Sequence, residues 1–232
     1  MPWYVTAGNH DYKGNVSAQL AYTERSKRWT FPDYYYDHIF EFTNEDGETS
    51  TVHLVLIDTV ILSGKVDLPE DHPEYFKALP GPLDATQSEA EWAWIEKTLS
   101  ESTADYLIVG GHYPVWSVCD HGPTSYLVER LRPLLQQHGG HYLSGHDHCA
   151  MHIHEEGVHY MLAGIGDTCC YRATKFDEVP ANSVEYLTAL GHNDAKAIGG
   201  FTSMTFTAKD LTVTYYDHDG NDLYSTVIAP RK

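Results

Sequence analysis

The chain has 232 residues, 42% hydrophobic and 21% charged, which suits one large globular domain or at most two small ones with a substantial core. Its 33 acidic against 15 basic residues give a formal charge of −18, which disfavours nucleic acid and anionic membrane as partners. No apolar run reaches the length of a membrane span, and no cationic start followed by an apolar segment marks a signal peptide.

In chain order, PWYVT at 2–6 reads as a short strand running into the loop GNHD at 8–11. VSAQLAYTERSK at 16–27 reads as a helix, ended by the Phe31–Pro32 step. YYYDHIFEF at 34–42 and TVHLVLID at 51–58 are rich in β-branched and aromatic residues, and the NEDGE turn between them predicts an antiparallel pair. Residues 63–83 carry four prolines and little periodicity, which predicts a long exposed loop. Asp84, three residues before Gln87, starts a helix to about Leu99 with Trp92, Ile95 and Leu99 on one face.

DYLIV at 105–109 is then a strand, 124–138 a helix and HYL at 141–143 a strand. MHIHE, VHYML, FTSMTFTA, LTVTYY and YSTVIA follow as successive strands. Strand–helix–strand units early and antiparallel strands late predict a mixed sheet assembly with helices on its outer faces. No repeat or linker divides the chain.

Cys119, Cys149, Cys169 and Cys170 form no CxxC pair, which argues against a zinc knuckle, and the adjacent Cys169 and Cys170 cannot easily pair with each other. Seven of the 15 histidines fall between His138 and His159, and most of the seven read as a solvated surface. His152 and His154 read as a strand face rather than a metal pair.

Three loops directly follow strands: GNHD at 8–11, GGHYP at 110–114 and GHDH at 145–148. Sites in open α/β sheets form beyond the carboxyl ends of the strands, so these loops can meet although they are far apart in sequence. Asn9, His112, His146 and His148 would bring one amide oxygen and three imidazoles, a set suited to borderline or harder transition metals. Glycine before each loop's donors lets the backbone approach a metal closely. Asp11 is either an orienter of His10 or a surface carboxylate.

The ordered triplet GNHD, GHxP, GHxH resembles the second half of the calcineurin-like metallophosphoesterase pattern. PWYVTAGNHDYKGNVSAQLAY, RWTFP, LIDTV, GGHYPVWS, HGPT, LRPLL, YLSGHDH, GGF and LTVTYYD further resemble, in order, the mammalian-type, tartrate-resistant purple acid phosphatases. The resemblance implies one domain over 1–232, an α/β (α+β) β-sandwich of two mixed sheets flanked by helices. It implies hydrolysis of phosphate monoesters at acidic pH by a dinuclear centre of iron(III) with iron(II) or zinc. By motif match, Asn9, His112 and His146 would bind the second metal and His148 the iron(III). His10 would contact the phosphate and assist the leaving group, and His121 in HGPT would also face substrate. Substrates would be small phosphate monoesters or phosphoproteins. A monomeric, secreted or lysosomal glycoprotein is implied, with its glycan on the Asn15-Val16-Ser17 sequon. The 63–83 loop would be the family's exposed loop over the site.

The departures carry equal weight. The family's first Asp, bridging Asp and Tyr are absent from this sequence, as are the first strands of its sheet, so an N-terminally truncated gene model or alternative start is expected. The remaining donors are all neutral, which predicts a weak or missing dimetal centre, no purple colour and impaired activity. Uncovered strand edges predict an unstable or aggregating product. The family's disulfide positions read Ser63 and Ser125. Besides an acid phosphatase, two readings stand: an inactive relative acting as a binding protein, and, third, another metallophosphoesterase such as a phosphodiesterase or nucleotidase.

Overall fold

The structure, a computed structural model, describes residues 1–43, 47–66, 72, 79–166, 169–192 and 199–231. Three elements open the chain: β1 (Trp3–Tyr4), α1 (Val16–Tyr22) and β2 (Trp29–Thr30). The next are β3 (Tyr36–Thr43), β4 (Thr49–Leu56), α2 (Thr59–Ser63), α3 (Ala85–Glu101), β5 (Tyr106–Gly110), α4 (Ser125–His138) and β6 (His141–Ser144). β7 (Ala150–Glu155), β8 (Val158–Ala163), β9 (Val184–Thr188), β10 (Gly200–Phe206), β11 (Leu211–Asp217) and β12 (Asp222–Ile228) complete it.

A seven-stranded mixed sheet has the order β3-β4-β5-β6-β8-β7-β9, with β4, β5, β6 and β8 parallel. The three-stranded sheet β10-β11-β12 is antiparallel throughout, and β1 and β2 pair as a short parallel ribbon. The expected antiparallel pair β3–β4 runs in unbroken register from Tyr36 opposite Leu56 to Thr43 opposite Thr49.

Strand alternation divides the core in two. Val55, Leu107, Val109 and Tyr142 face the helices, where they bury Trp92, Ile95, Leu99, Leu127, Leu131 and Leu135. Val52, Tyr106, Ile108 and Met161 face Leu211, Val213, Tyr215 and Ile228 of the small sheet. Each fully buried large apolar side chain contributes about 1.5–3 kcal/mol, so the Trp92, Ile95, Leu99 stripe alone fixes α3 against the sheet. Asp84 caps α3 as expected, its Oδ1 accepting from the Thr86 and Gln87 amides at 2.8 and 3.1 Å.

Several elements differ from expectation for local reasons. α1 ends at Tyr22 because Thr23 Oγ1 donates to the Phe31 carbonyl and accepts from the Phe31 amide, folding the chain back. α2 occupies residues just before the expected loop; five residues are too few to show helical periodicity, and Asp58 caps them through the Val60 and Ile61 amides. Of the 63–83 loop, residues 67–71 and 73–78 lie outside the described residues, as do 44–46 of the NEDGE turn. β9 was not expected, and it pairs antiparallel with β7 at the edge of the large sheet. Because β5 and β6 are adjacent and parallel, the loops after them emerge side by side.

Candidate metal centre

The loops after β1, β5 and β6 converge. Asn9 is 6% exposed and its Oδ1 lies 2.8 Å from His112 Nε2. The His112 ring is 5.0 Å from that of His146, which is 3.9 Å from His121 and 4.5 Å from Tyr113, all between centroids. His148 stacks on Tyr171 at 4.4 Å. His10, His112, His121 and His148 are within electrostatic reach of His146, and Asn9 contacts His112, so all the residues singled out in the sequence share one locality.

Close backbone approach makes this possible. A Cβ on Gly8 would lie 2.8 Å from the His112 ring, so only glycine lets Asn9 approach it. The Gly145 amide donates to the His112 carbonyl at 3.0 Å, joining the second loop to the third. His146 has φ +69, a left-handed turn that separates it from His148 and aims the two rings differently.

Burial sets the protonation. It pushes His112 down to about 4 and His121 to about 3, and holds His146 well below the ordinary imidazole range, with neighbouring imidazoles lowering all three further. Neutral imidazole is the form that coordinates a metal. Two donors at about 2.1 Å from one cation, at right angles, are about 3 Å apart, so the Asn9–His112 pair has suitable spacing. Among the described residues no three His, Cys, Asp or Glu side chains are already grouped around one ion point. By donor count, Asn9, His112 and His146 would offer three ligands to one cation and His148 a single ligand to a second.

Carboxylates nearby serve the scaffold. Asp11 Oδ2 accepts from the Gly8 amide at 2.8 Å and Oδ1 from Gln19 Nε2 at 2.7 Å, which fastens the GNHD loop. Tyr12 donates to Asp58 Oδ2 at 2.6 Å from the same loop. Burial raises Asp58 to about 6 and the adjacent Glu91 to about 9.

Sequence reasoning passed over Asp147, which is fully buried between His146 and His148. Its Oδ2 accepts from Ser117 Oγ at 2.5 Å and its Oδ1 from the His121 amide at 3.0 Å, so it ties the HGPT loop to GHDH. A buried disulfide between Cys119 and Cys149 makes the same connection covalently, whereas Ser63 and Ser125 lie elsewhere on α2 and α4. The sulfurs of Cys169 and Cys170 lie against each other across a cis peptide bond, in a geometry that does not test the expectation that adjacent cysteines pair poorly. A small cleft of about 30 Å³ opens between Asn9, His121, His146, Tyr113 and Thr124.

Residues 1–150 match the family model described as calcineurin-like phosphoesterase. The whole chain is 38% identical to tartrate-resistant acid phosphatase type 5 of Rattus norvegicus and of Homo sapiens, spanning 68% of each. It is 28% identical to purple acid phosphatase 17 of Arabidopsis thaliana, over 98% of this chain and 63% of that protein. Among solved structures, GAP50, the anchor in the inner membrane complex of Plasmodium, superposes with a TM-score of 0.78 at 22% identity, over 100% of this chain and 67% of that one.

Proposed function

The chain belongs to the calcineurin-like phosphoesterases, in the purple acid phosphatase family, and we propose that it is a metal-dependent phosphate monoesterase whose centre holds metal weakly. The observation that carries this reading is the meeting of Asn9, His112 and His146 from three separate loops, with the imidazoles neutral. These three would hold one ion and His148 would bind the second, as iron(III) paired with iron(II) or zinc. When bound, such a pair supplies charge that clamps phosphate oxygens and acidifies a water.

The chain's own residues divide the remaining work. His10 is exposed on the rim, where it can reach the phosphoryl group or the departing oxygen. His121, held neutral, offers a hydrogen bond to a phosphate oxygen rather than a positive charge. Asp147 and the Cys119–Cys149 bridge keep His121 facing the cleft. None of the four metal donors is a carboxylate, so two cations there would face uncompensated repulsion and metal affinity would be low. Small phosphate monoesters are better substrates for this chain than phosphoproteins, whose extended acidic surfaces the −18 charge repels. Asn15 is exposed at the N-cap of α1 and would carry the glycan of a secreted or lysosomal, monomeric single-domain protein.

A second reading, a catalytically silent relative that binds rather than hydrolyses, is favoured by the same neutral donor set. The test is direct. Purified chain is loaded with iron and zinc, and metal content is read by mass spectrometry beside p-nitrophenyl phosphate hydrolysis at pH 5. Chelator-sensitive hydrolysis that disappears in H112A supports the enzyme. Absence of both bound metal and hydrolysis overturns the enzyme and supports the binding reading.

A further inference from the structure

Beyond the metal-site loops, a second polar constellation lies under the C-terminal end of α3. Cross-strand register puts Ile39 opposite His53 and Asp37 opposite Val55, so Asp37, Ile39 and His53 share the helix-facing side of β3 and β4. Ser102 caps the end of α3 just across from them. Ser102 Oγ is 2.9 Å from His53 Nδ1, and His53 Nε2 is 3.0 Å from Asp37 Oδ2.

We propose that Ser102, His53 and Asp37 form a metal-independent serine esterase site acting on small carboxylic esters.

The hydrogen bonds admit one consistent assignment. Asp37 accepts from Nε2–H, which fixes that tautomer and leaves Nδ1 as the acceptor for the Ser102 hydroxyl. Arg231 Nη2 donates to Ser102 Oγ at 3.2 Å, where it favours developing negative charge on that oxygen. The same guanidinium holds the Ser102 and Ala104 carbonyls and the His138 carbonyl, so both Ser102 and its neighbours are fixed in place. This is the relation of nucleophile, base and orienting carboxylate that acyl transfer requires, with the ring nitrogens exchanged relative to the familiar arrangement.

His53 is only 4% exposed, while Asp37, His53 and Ser102 line an open cavity of about 360 Å³. Ile39 and Trp94 give it an apolar wall and Lys97 adds positive charge for a carbonyl oxygen. An aryl or short acyl ester fits that lining. Ser102 precedes β5 and His112 follows it, so the two sites are separated by a five-residue strand, roughly 16 Å.

In the reaction, Ser102 Oγ bonds to the acyl carbon as its proton passes to His53 Nδ1. The ester C–O bond breaks and the departing alcohol takes that proton. Water then attacks the acyl-serine with His53 again as base, releasing the carboxylic acid and restoring the serine.

The full chain, stripped of metal with chelator, is treated with a fluorophosphonate probe and mapped by peptide mass spectrometry. The expected result is one adduct, on Ser102, forming equally fast with and without chelator. Labelling and p-nitrophenyl acetate hydrolysis should be lost in S102A and slowed about tenfold or more in D37N, with circular dichroism unchanged. An unlabelled Ser102 in the native chain, or labelling of D37N at the native rate, overturns the proposal. Chelator independence separates it from the phosphatase reading, on which it does not rest.

Discussion

Two histidine clusters in this chain behave oppositely. His112, His121, His146 and His148 sit on loops beyond strand ends, where His121 and His146 line a common cleft with Asn9 and His112 lies against Asn9 behind them. His141, His152, His154 and His159 sit on strands β6, β7 and β8, where the rings stack or hydrogen bond to one another. In that second cluster His152 Nε2 is 2.9 Å from His159 Nδ1, and Nδ1 is 3.0 Å from the Tyr224 hydroxyl. Strand geometry sends same-face side chains out in parallel, so imidazoles stack; loops with glycine turn them inward. Residue type is equal in the two clusters, and backbone context decides which rings converge and which stack.

The largest expected effect comes from cutting the covalent link that steadies the first cluster. C119S/C149S should lose about 3–4 kcal/mol, from the closure entropy of a loop with sequence separation 30. Thermal unfolding of native and double-mutant chains under non-reducing conditions measures it; equal melting temperatures would show that the bridge adds nothing.

Next is the contrast in metal affinity. H112A should weaken zinc binding about 100-fold, near 2.7 kcal/mol, while H154A in the stacked cluster leaves it within about twofold. Calorimetric titration of both variants reads the difference, and equal losses would erase the distinction between clusters.

Acid should act on the second cluster through stability. Burial, then neighbouring imidazoles, lowers His141 and His152 to about 3 and His159 to about 4. The folded state therefore stays neutral while the unfolded chain takes up protons below about 6.5, so stability present at pH 7 falls as pH drops toward 3–4. Each fully buried imidazole contributes a slope of up to about 1.4 kcal/mol per pH unit. Asp58 and Glu91, raised in the folded state, act in the opposite direction and lose stability as pH rises through 6 and 9. Denaturant melts of native and H152Q chains from pH 7 to 4 isolate the histidine term; parallel slopes would remove it.

The smallest contrast uses two glycines. G157A, in the hairpin between β7 and β8, meets open space but keeps φ +82, so it should cost about 1 kcal/mol and leave zinc binding intact. G8A places its Cβ against the buried His112 ring and should weaken zinc binding while also costing about 1–3 kcal/mol of stability. Matching binding curves for the two variants would contradict the close approach at Gly8.

Much of this was legible in advance. The strands β3 to β8 and the helices α3 and α4 carry their periodicity and caps in local sequence; GGHYP and GHDH follow their strands directly, whereas β1 is only Trp3–Tyr4, shorter than the expected 2–6, and stops three residues before GNHD. Reading His152 and His154 as a strand face agrees with their places on β7, although His152 is buried and bonded rather than solvated. Asp147 was overlooked because a carboxylate flanked by two candidate ligands gives no sign that it turns away to Ser117 and the His121 amide. The Cys119–Cys149 pairing was equally hidden, since four cysteines leave connectivity open.

Sequence alone determined the strand-end placement of Asn9, His112 and His146 and the absence of any carboxylate among the candidate donors, because hydrophobic pattern and residue type are local. Tertiary structure decided which imidazoles converge and which stack, and which carboxylates serve the scaffold. It also created the Ser102–His53–Asp37 contact, joining α3, β4 and β3. Those outcomes depend on how parallel strands bring distant loops together and how burial removes water from particular side chains, and neither is written in any short segment.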